Sequence, residues 1–259
     1  MGFIVNRDGL VIYDETTHRH ANTTVEQNPT YAMTYCKNAP LEVCSLLFRT
    51  KNPTNKREVG DNCPLIYALK QKENLHISYS SIKGLMPDLN RIIAKYIDNV
   101  ANSGDRFDAI VTVPSGHSIV NMLARRLSKV INVPVDDQMF RKANGNDIKQ
   151  ELLNDRFGDS QIPRGPRVQI MNAVSKANEE NRAFSMSDVH TKNRNYISPL
   201  WISNALNKRY DSVLLVDDLF ASGKTLIHAK NCLIADNVCT SVKAVCLFSP
   251  LNGKIKRPR

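Results

Sequence analysis

Two adjacent carboxylates, Asp217 and Asp218, stand just ahead of a small hydroxyl-bearing loop, Ala221-Ser-Gly-Lys-Thr225. Carboxylates accept hydrogen bonds from vicinal hydroxyls. A loop of small residues entering a helix offers backbone N–H groups and the positive end of the helix dipole to a phosphate. The pair of features therefore suits a phosphorylated sugar. The elements that must position them flank them directly. Val213 to Val216 is a continuous apolar run, as in a strand buried on both faces, and the acids fall at its C-terminal end. Leu226 to Leu233 has helical spacing.

Two other phosphate motifs fail on spacing. The nucleoside-triphosphate loop needs a first glycine that this run lacks, and the two acids would repel a triphosphate without a metal. A dinucleotide fingerprint needs three glycines, and only Gly223 is present. The run from Ser212 to Thr225 instead resembles the phosphoribosyl-pyrophosphate (PRPP) motif of type I phosphoribosyltransferases: two apolar residues, two acids, a variable pair and a Ser/Thr-Gly-x-Thr loop.

The rest of the chain reads as strands alternating with helices, which predicts an α/β fold with a mostly parallel sheet flanked by helices. Phe3 to Val5 and Val11 to Tyr13 flank a turn at Asn6-Arg-Asp-Gly9 and read as a hairpin. Residues 14 to 60 are weakly patterned, with a strand-like stretch from Val43 to Phe48. From Pro87 the pattern turns helical, with the proline in the first turn. Phe107 to Val113 reads as a buried strand. Ser118 to Val130 reads as an amphipathic helix with Ile119, Val120, Leu123, Leu127 and Val130 inward. Residues 141 to 205 read as long, polar and irregular, and Ser241 to Phe248 as a last strand. In parallel sheets ligands bind outside the C-terminal strand ends. A second small-residue loop, Ser115-Gly-His-Ser118, lies at such an end and suits a second anion.

Residues 63 to 250 resemble the ComF-like phosphoribosyltransferases in the order of four segments: Cys63 to Lys70, Asp108 to Pro114, Asn181-Arg-Ala-Phe184 and the PRPP motif. The Arg-Gly-Phe-Asn-Gln stretch and the N-terminal four-cysteine module of that group are missing. The resemblance implies a type I phosphoribosyltransferase fold over residues 63–259 and a small N-terminal appendage or hood over residues 1–62. It implies displacement of pyrophosphate from C1 of PRPP by a nitrogenous small-molecule acceptor, with Mg2+ as cofactor. Asp217 and Asp218 would hold the ribose hydroxyls, directly or through Mg2+. Ala221, Ser222, Gly223, Lys224 and Thr225 would cradle the 5′-phosphate. Ser115, Gly116, His117 and Ser118 would take the pyrophosphate. A mobile segment at about 141–205 would close over the site, with Arg141, Lys142 and Lys176 as candidate cations. Hypoxanthine-type enzymes carry an Asp where Ala221 stands, which argues against a 6-oxopurine acceptor.

Charge and cysteines bound the setting. The chain has 259 residues and a formal net charge of +10. Arg49, Lys51, Lys56 and Arg57 cluster, and the tail Lys254 to Arg259 is basic. Such a field suits a polyanionic substrate, and it also suits nucleic acid or a ribonucleoprotein. Six cysteines without a Cys-x2-Cys pair read as reduced thiols of a cytoplasmic protein. No apolar run reaches the ~20 residues of a membrane span, and no signal peptide is expected. Three functions stay open: an active phosphoribosyltransferase; a nucleic-acid-linked accessory or effector protein of DNA uptake or retron-type anti-phage defence; and a non-catalytic PRPP sensor. A homodimer is compatible with each.

Overall fold

In a computed structural model, all residues are described except 37–38, 51–57, 155–161, 182–183, 199, 204–207, 221–222 and 250–259. The chain divides into two compact units, residues 1–137 with 207–259, and residues 138–206.

The first unit is organised by a six-stranded sheet. Its strands are β3 (Thr30–Cys36), β4 (Ala39–Phe48), β6 (Ala109–Thr112), β7 (Val135–Asp136), β10 (Tyr210–Leu219) and β11 (Cys239–Ser249). Their spatial order is β3-β4-β11-β10-β6-β7, and every pairing is parallel except β3 with β4. Val213, Leu214, Leu215 and Val216 on β10 are each 0% exposed. Successive strand residues point to opposite faces, so both faces of this strand are covered, as its unbroken apolar run predicts. Leu214, Val216, Val245 and Leu247 join one core with α2 (Tyr79–Ser103) and α3 (Ile119–Ile131). The helix α6 (Lys224–Ala235) packs on β10, β11 and β4.

The expected hairpin is present as β1 (Gly2–Val5) and β2 (Leu10–Asp14), antiparallel with Phe3 opposite Tyr13. The short β5 (His76–Ile77) extends this small sheet beside β2. Residues 1–62 thus contribute to two sheets, because β3 and β4 belong to the main one.

Two helices of the first unit differ from their sequence reading. Helix α2 starts two turns before Pro87. Ser78 caps it by accepting the Ser81 N–H at 3.1 Å, and Gly104 ends it at φ 73°. Pro87 lies inside on the exposed side, where one missing backbone donor is tolerated within a 25-residue helix packed along its length. In α3, Val130 is 53% exposed because it lies in the last turn, one residue before the helix ends, while Ala124 widens the buried stripe.

The stretch read as irregular builds the second unit. It contains β8 (Phe140–Lys142), α4 (Gly145–Asn154), α5 (Arg164–Glu179) and β9 (Leu200–Ile202), with β8 and β9 antiparallel. Ile148, Leu152, Ile170, Val174, Val189 and Ile197 form its own core. Gly145 opens α4 rather than breaking it. Pro166 falls within the first turn of α5, where the backbone N–H groups have no helical partner anyway.

Candidate active site

The two small-residue loops leave neighbouring strands at one edge of the sheet. Strands β6 and β10 run parallel with Thr112 opposite Val216, and the Val113 N–H donates to the Val216 carbonyl at 3.0 Å. The chain then enters Pro114 to Ser118 on one side and Asp217 to Gly223 on the other. Adjacent parallel strands thus deliver the acid pair and both loops to the same edge, as the sheet rule anticipates.

The Asp217 Oδ1 accepts the Asp218 backbone N–H at 2.8 Å. Desolvation, and next the charge of Asp218, push the Asp217 carboxyl up to about 7, against the Asp218 N–H bond and the positive charge of Lys70. Asp218 is buried, and its Oδ2 forms an ion pair with the Lys70 ammonium outside hydrogen-bond alignment. Lys70 ends the short helix α1 (Pro64–Leu69), and its backbone N–H donates to Ile66 O at 3.0 Å. The sequence reading quoted Lys70 within a family segment and gave it no role. The pairing appears only when α1 is brought onto the sheet edge.

Arg49 was read as part of a basic surface cluster. It is 5% exposed, donates from Nε to Asn62 O at 3.1 Å and from its backbone to Ser249 O at 2.9 Å. It follows directly on β4, so it too stands at the C-terminal sheet edge. Lys51, Lys56 and Arg57 lie outside the described residues, as does the tail 254–259. Buried Cys63 lies among these groups. Burial first raises its thiol to about 12, while the charges of Arg49 and Lys70 oppose the rise. Such a thiol is no nucleophile at neutral pH.

Of the loop expected to cradle a 5′-phosphate, Ala221 and Ser222 lie outside the described residues, and so does the side chain of Lys224. Gly223 is the N-cap of α6 at φ 74°, and a Cβ there would stand 2.5 Å from the Phe220 ring. Only glycine meets both demands. Phe220 is itself buried and donates its N–H to Phe248 O at 2.9 Å, so Gly223 stands against a fixed aromatic ring. Thr225 sits half-buried in the first turn of α6.

In the other loop, the His117 N–H donates to Ser115 Oγ at 3.3 Å. Ser118 is the N-cap of α3; its side chain makes no cap bond and its hydroxyl donates to Met122 Sδ at 3.8 Å, beside the first helical N–H groups. A Cβ at Gly116 would meet nothing within 4 Å, so space is open above the loop.

The candidate cations lie in the second unit. Arg141 is engaged there: its Nη2 donates to Asp147 Oδ1 at 2.8 Å, and its guanidinium stands 5.7 Å from the Trp201 ring centroid. Lys142 is exposed on β8. Lys176 is largely exposed and pairs with Glu180 at 3.8 Å across one helical turn.

Among the described residues no three His, Cys, Asp or Glu side chains gather as a metal-holding group. No described helix is long and apolar enough to cross a membrane.

Comparison with known proteins follows this geometry. A family model described as a phosphoribosyl transferase domain matches residues 78–258. No curated protein matches the chain. Among solved structures, a hypothetical protein from Neisseria gonorrhoeae with bound ppGpp is 14% identical, covering 67% of this chain and 73% of its own, at a TM-score of 0.37. Adenine phosphoribosyltransferase from Leishmania tarentolae is 8% identical over 96% of this chain and 94% of its own, at 0.34. The Leishmania donovani enzyme is 10% identical over 95% and 86%, also at 0.34. Likeness at these scores carries no argument about the site.

Proposed function

This chain belongs to the phosphoribosyl transferase domain family, and on that premise we propose that it binds PRPP with Mg2+ and transfers phosphoribose to or from a nitrogenous acceptor. The observation that carries the proposal is the convergence at one sheet edge: an acid pair and two loops, each entering a helix N-terminus, on the adjacent parallel strands β6 and β10. One loop suits each anionic end of PRPP, and the acids between them suit its ribose hydroxyls. Within the superfamily we read the chain as ComF-like.

In this reading the first turn of α6, with Gly223 and Thr225, holds the 5′-phosphate by backbone N–H groups. Ser115 and Ser118 at the head of α3 receive the pyrophosphate. Asp217 and Asp218 orient the ribose so that the nucleophile meets C1 opposite the leaving group. As the C1–O bond breaks, positive charge develops on the ribose and negative charge on pyrophosphate. Asp217, ionised above pH about 7, stabilises the former. Lys70 offsets one of the two carboxylate charges, which otherwise repel the incoming polyanion. Asp217 and Asp218 would hold Mg2+ together with oxygens of the ligand, which fits a cation that keeps few protein donors. Bound Mg2+ would supply charge neutralisation at the leaving pyrophosphate. We further propose that residues 141–205 cover the site during turnover, with Lys142 and Lys176 as candidate phosphate contacts.

Isothermal titration of PRPP in the presence and absence of Mg2+ tests the assignment. Binding is expected to need Mg2+ and to disappear in the Asp217→Asn, Asp218→Asn double variant. Unchanged affinity in that variant overturns the site. Pyrophosphate release measured over a panel of nitrogenous bases then separates a transferase from a PRPP sensor.

A further inference from the structure

The pair between Lys70 and Asp218 is built unlike an ion pair that serves packing. Both side chains are largely withdrawn from water, at 17% exposed for Lys70 and 7% for Asp218. Buried pairs that support a fold also satisfy their remaining polar atoms with hydrogen bonds. Here Asp218 Oδ2 has the ammonium beside it and no hydrogen bond at all. The oxygen is held by charge alone, so another cation that reaches it can take the ammonium's place.

The backbone that delivers Lys70 is fixed from two sides. Three of the next four residues, Gln71, Glu73 and Asn74, hold left-handed φ angles of 51°, 54° and 56°. Asparagine takes that region readily, whereas glutamine and glutamate enter it at a cost. The turn is held by the Gly60 N–H donating to Glu73 Oε2 at 2.8 Å and the Lys72 N–H donating to Tyr67 O at 2.9 Å. The β1–β2 turn closes on it so tightly that a Cβ at Gly9 would stand 2.6 Å from Asn74 O. Asp218 is fixed by its strand, whose neighbours Asp217 and Leu219 pair with Cys246 and Phe248. The four-carbon stem of Lys70 is thus the flexible link, and the pair opens by side-chain rotation with neither backbone moving.

Charge arithmetic gives the pair a use. With both carboxylates ionised, Asp217 and Asp218 carry two negative charges, and Lys70 leaves one. Affinity for a hard divalent cation rises with the charge of its oxygen ligands. A free divalent cation therefore meets half the charge and an oxygen already taken. PRPP changes both terms, because its pyrophosphate oxygens share in holding the cation and offer the displaced ammonium a new partner. We infer that Lys70 is a tethered counter-ion that keeps free divalent cations off the acid pair and yields Asp218 only to a cation bound together with PRPP. It is a positioning residue that sets the order in which metal and substrate are taken up. The inference rests on the reading of Asp217 and Asp218 as the place where Mg2+ and PRPP meet.

Mn2+ is the probe, its free fraction read by electron paramagnetic resonance at pH 8 on the full chain, with and without PRPP. The parent is expected to show no saturable Mn2+ binding below ~5 mM alone and to bind Mn2+ once PRPP is added. Lys70→Gln keeps a hydrogen-bond donor for Asp218 Oδ2 and drops the charge; Lys70→Met drops both. Mn2+ alone is expected to bind these variants at least about tenfold more tightly than the parent. Lys70→Arg keeps the charge and is expected to behave as the parent does. Adding Asp218→Asn to Lys70→Gln is expected to remove the gained binding, which places it at the acid pair. A residue that only supported the fold would weaken metal binding when replaced and never tighten it. The inference is overturned by a parent that saturates without PRPP, by no gain in either neutral variant, by an equal gain in Lys70→Arg, or by a gain that survives Asp218→Asn. The two readings fail separately. Neutral variants that gain Mn2+ alone while PRPP adds nothing to the parent refute the PRPP assignment, whereas PRPP-dependent Mn2+ binding without any gain in those variants refutes the role of Lys70.

Discussion

Asp217→Asn should make this protein more stable, and more so as pH rises. Desolvation and the neighbouring Asp218 move the Asp217 carboxyl from its ordinary 3.8 up to about 7. In the unfolded chain it returns to the ordinary value. Between the two values the folded protein retains a proton that the unfolded chain has released. Stability therefore falls as pH rises through this window and levels off above pH about 7. At about 1.4 kcal/mol per pH unit, the accumulated cost reaches about 4 kcal/mol. Asparagine keeps the oxygen that accepts the Asp218 N–H at 2.8 Å and removes the partly desolvated charge. The variant is expected to gain up to about 4 kcal/mol near pH 8 and almost nothing near pH 4, a Tm rise of roughly 10 °C at the alkaline end. Thermal melts followed by circular dichroism, run on parent and variant across this range without PRPP or Mg2+, measure the gap. A gap that stays constant with pH, or a variant no more stable than its parent near pH 8, refutes the reasoning. The same substitution is expected to weaken PRPP binding, so the carboxylate would cost stability in exchange for function.

Lys70→Met leaves Asp218 buried without its cation and is expected to cost about 3 kcal/mol in urea unfolding; adding Asp218→Asn should restore most of that loss, and no recovery would argue against the pair. Gly223→Ala places a methyl 2.5 Å from the Phe220 ring at a φ that alanine resists, so about 2 kcal/mol of stability and at least about tenfold in PRPP affinity should be lost together. Tyr13→Phe removes the 2.9 Å hydrogen bond to buried Asp88 that ties β2 to α2, and thermal melts should show a loss of about 1 kcal/mol.

The parts of the fold that were legible are those with strong local signals. The β10 strand announced itself by four successive apolar residues, and α3 by residues recurring every three to four positions. Helix α2 was legible only in its second half, because its start rests on a serine cap whose partner, Ser81, carries no apolar signal. Helices α4 and α5 escaped notice for a similar reason. Their buried residues are few, and Gly145 and Pro166 read as breakers although both lie in first turns. Strand β3 begins beyond a polar stretch and is specified by its antiparallel partner β4 rather than by its own pattern.

For the site, the divide falls between what is contiguous and what is not. The sequence alone determined the acid pair at a strand end and the helix that follows the small-residue loop, since fourteen consecutive residues carry them. It also placed the second loop at a strand end. Only the tertiary structure set β6 beside β10, which turns two separate loops into neighbours. Only the tertiary structure brought Lys70 to Asp218, across 148 positions of chain, and withdrew Arg49 from solvent to the sheet edge. The acidity of Asp217 followed from the same step. Its type and position are written locally, but its proton affinity depends on how much water and which charges the rest of the chain leaves around it.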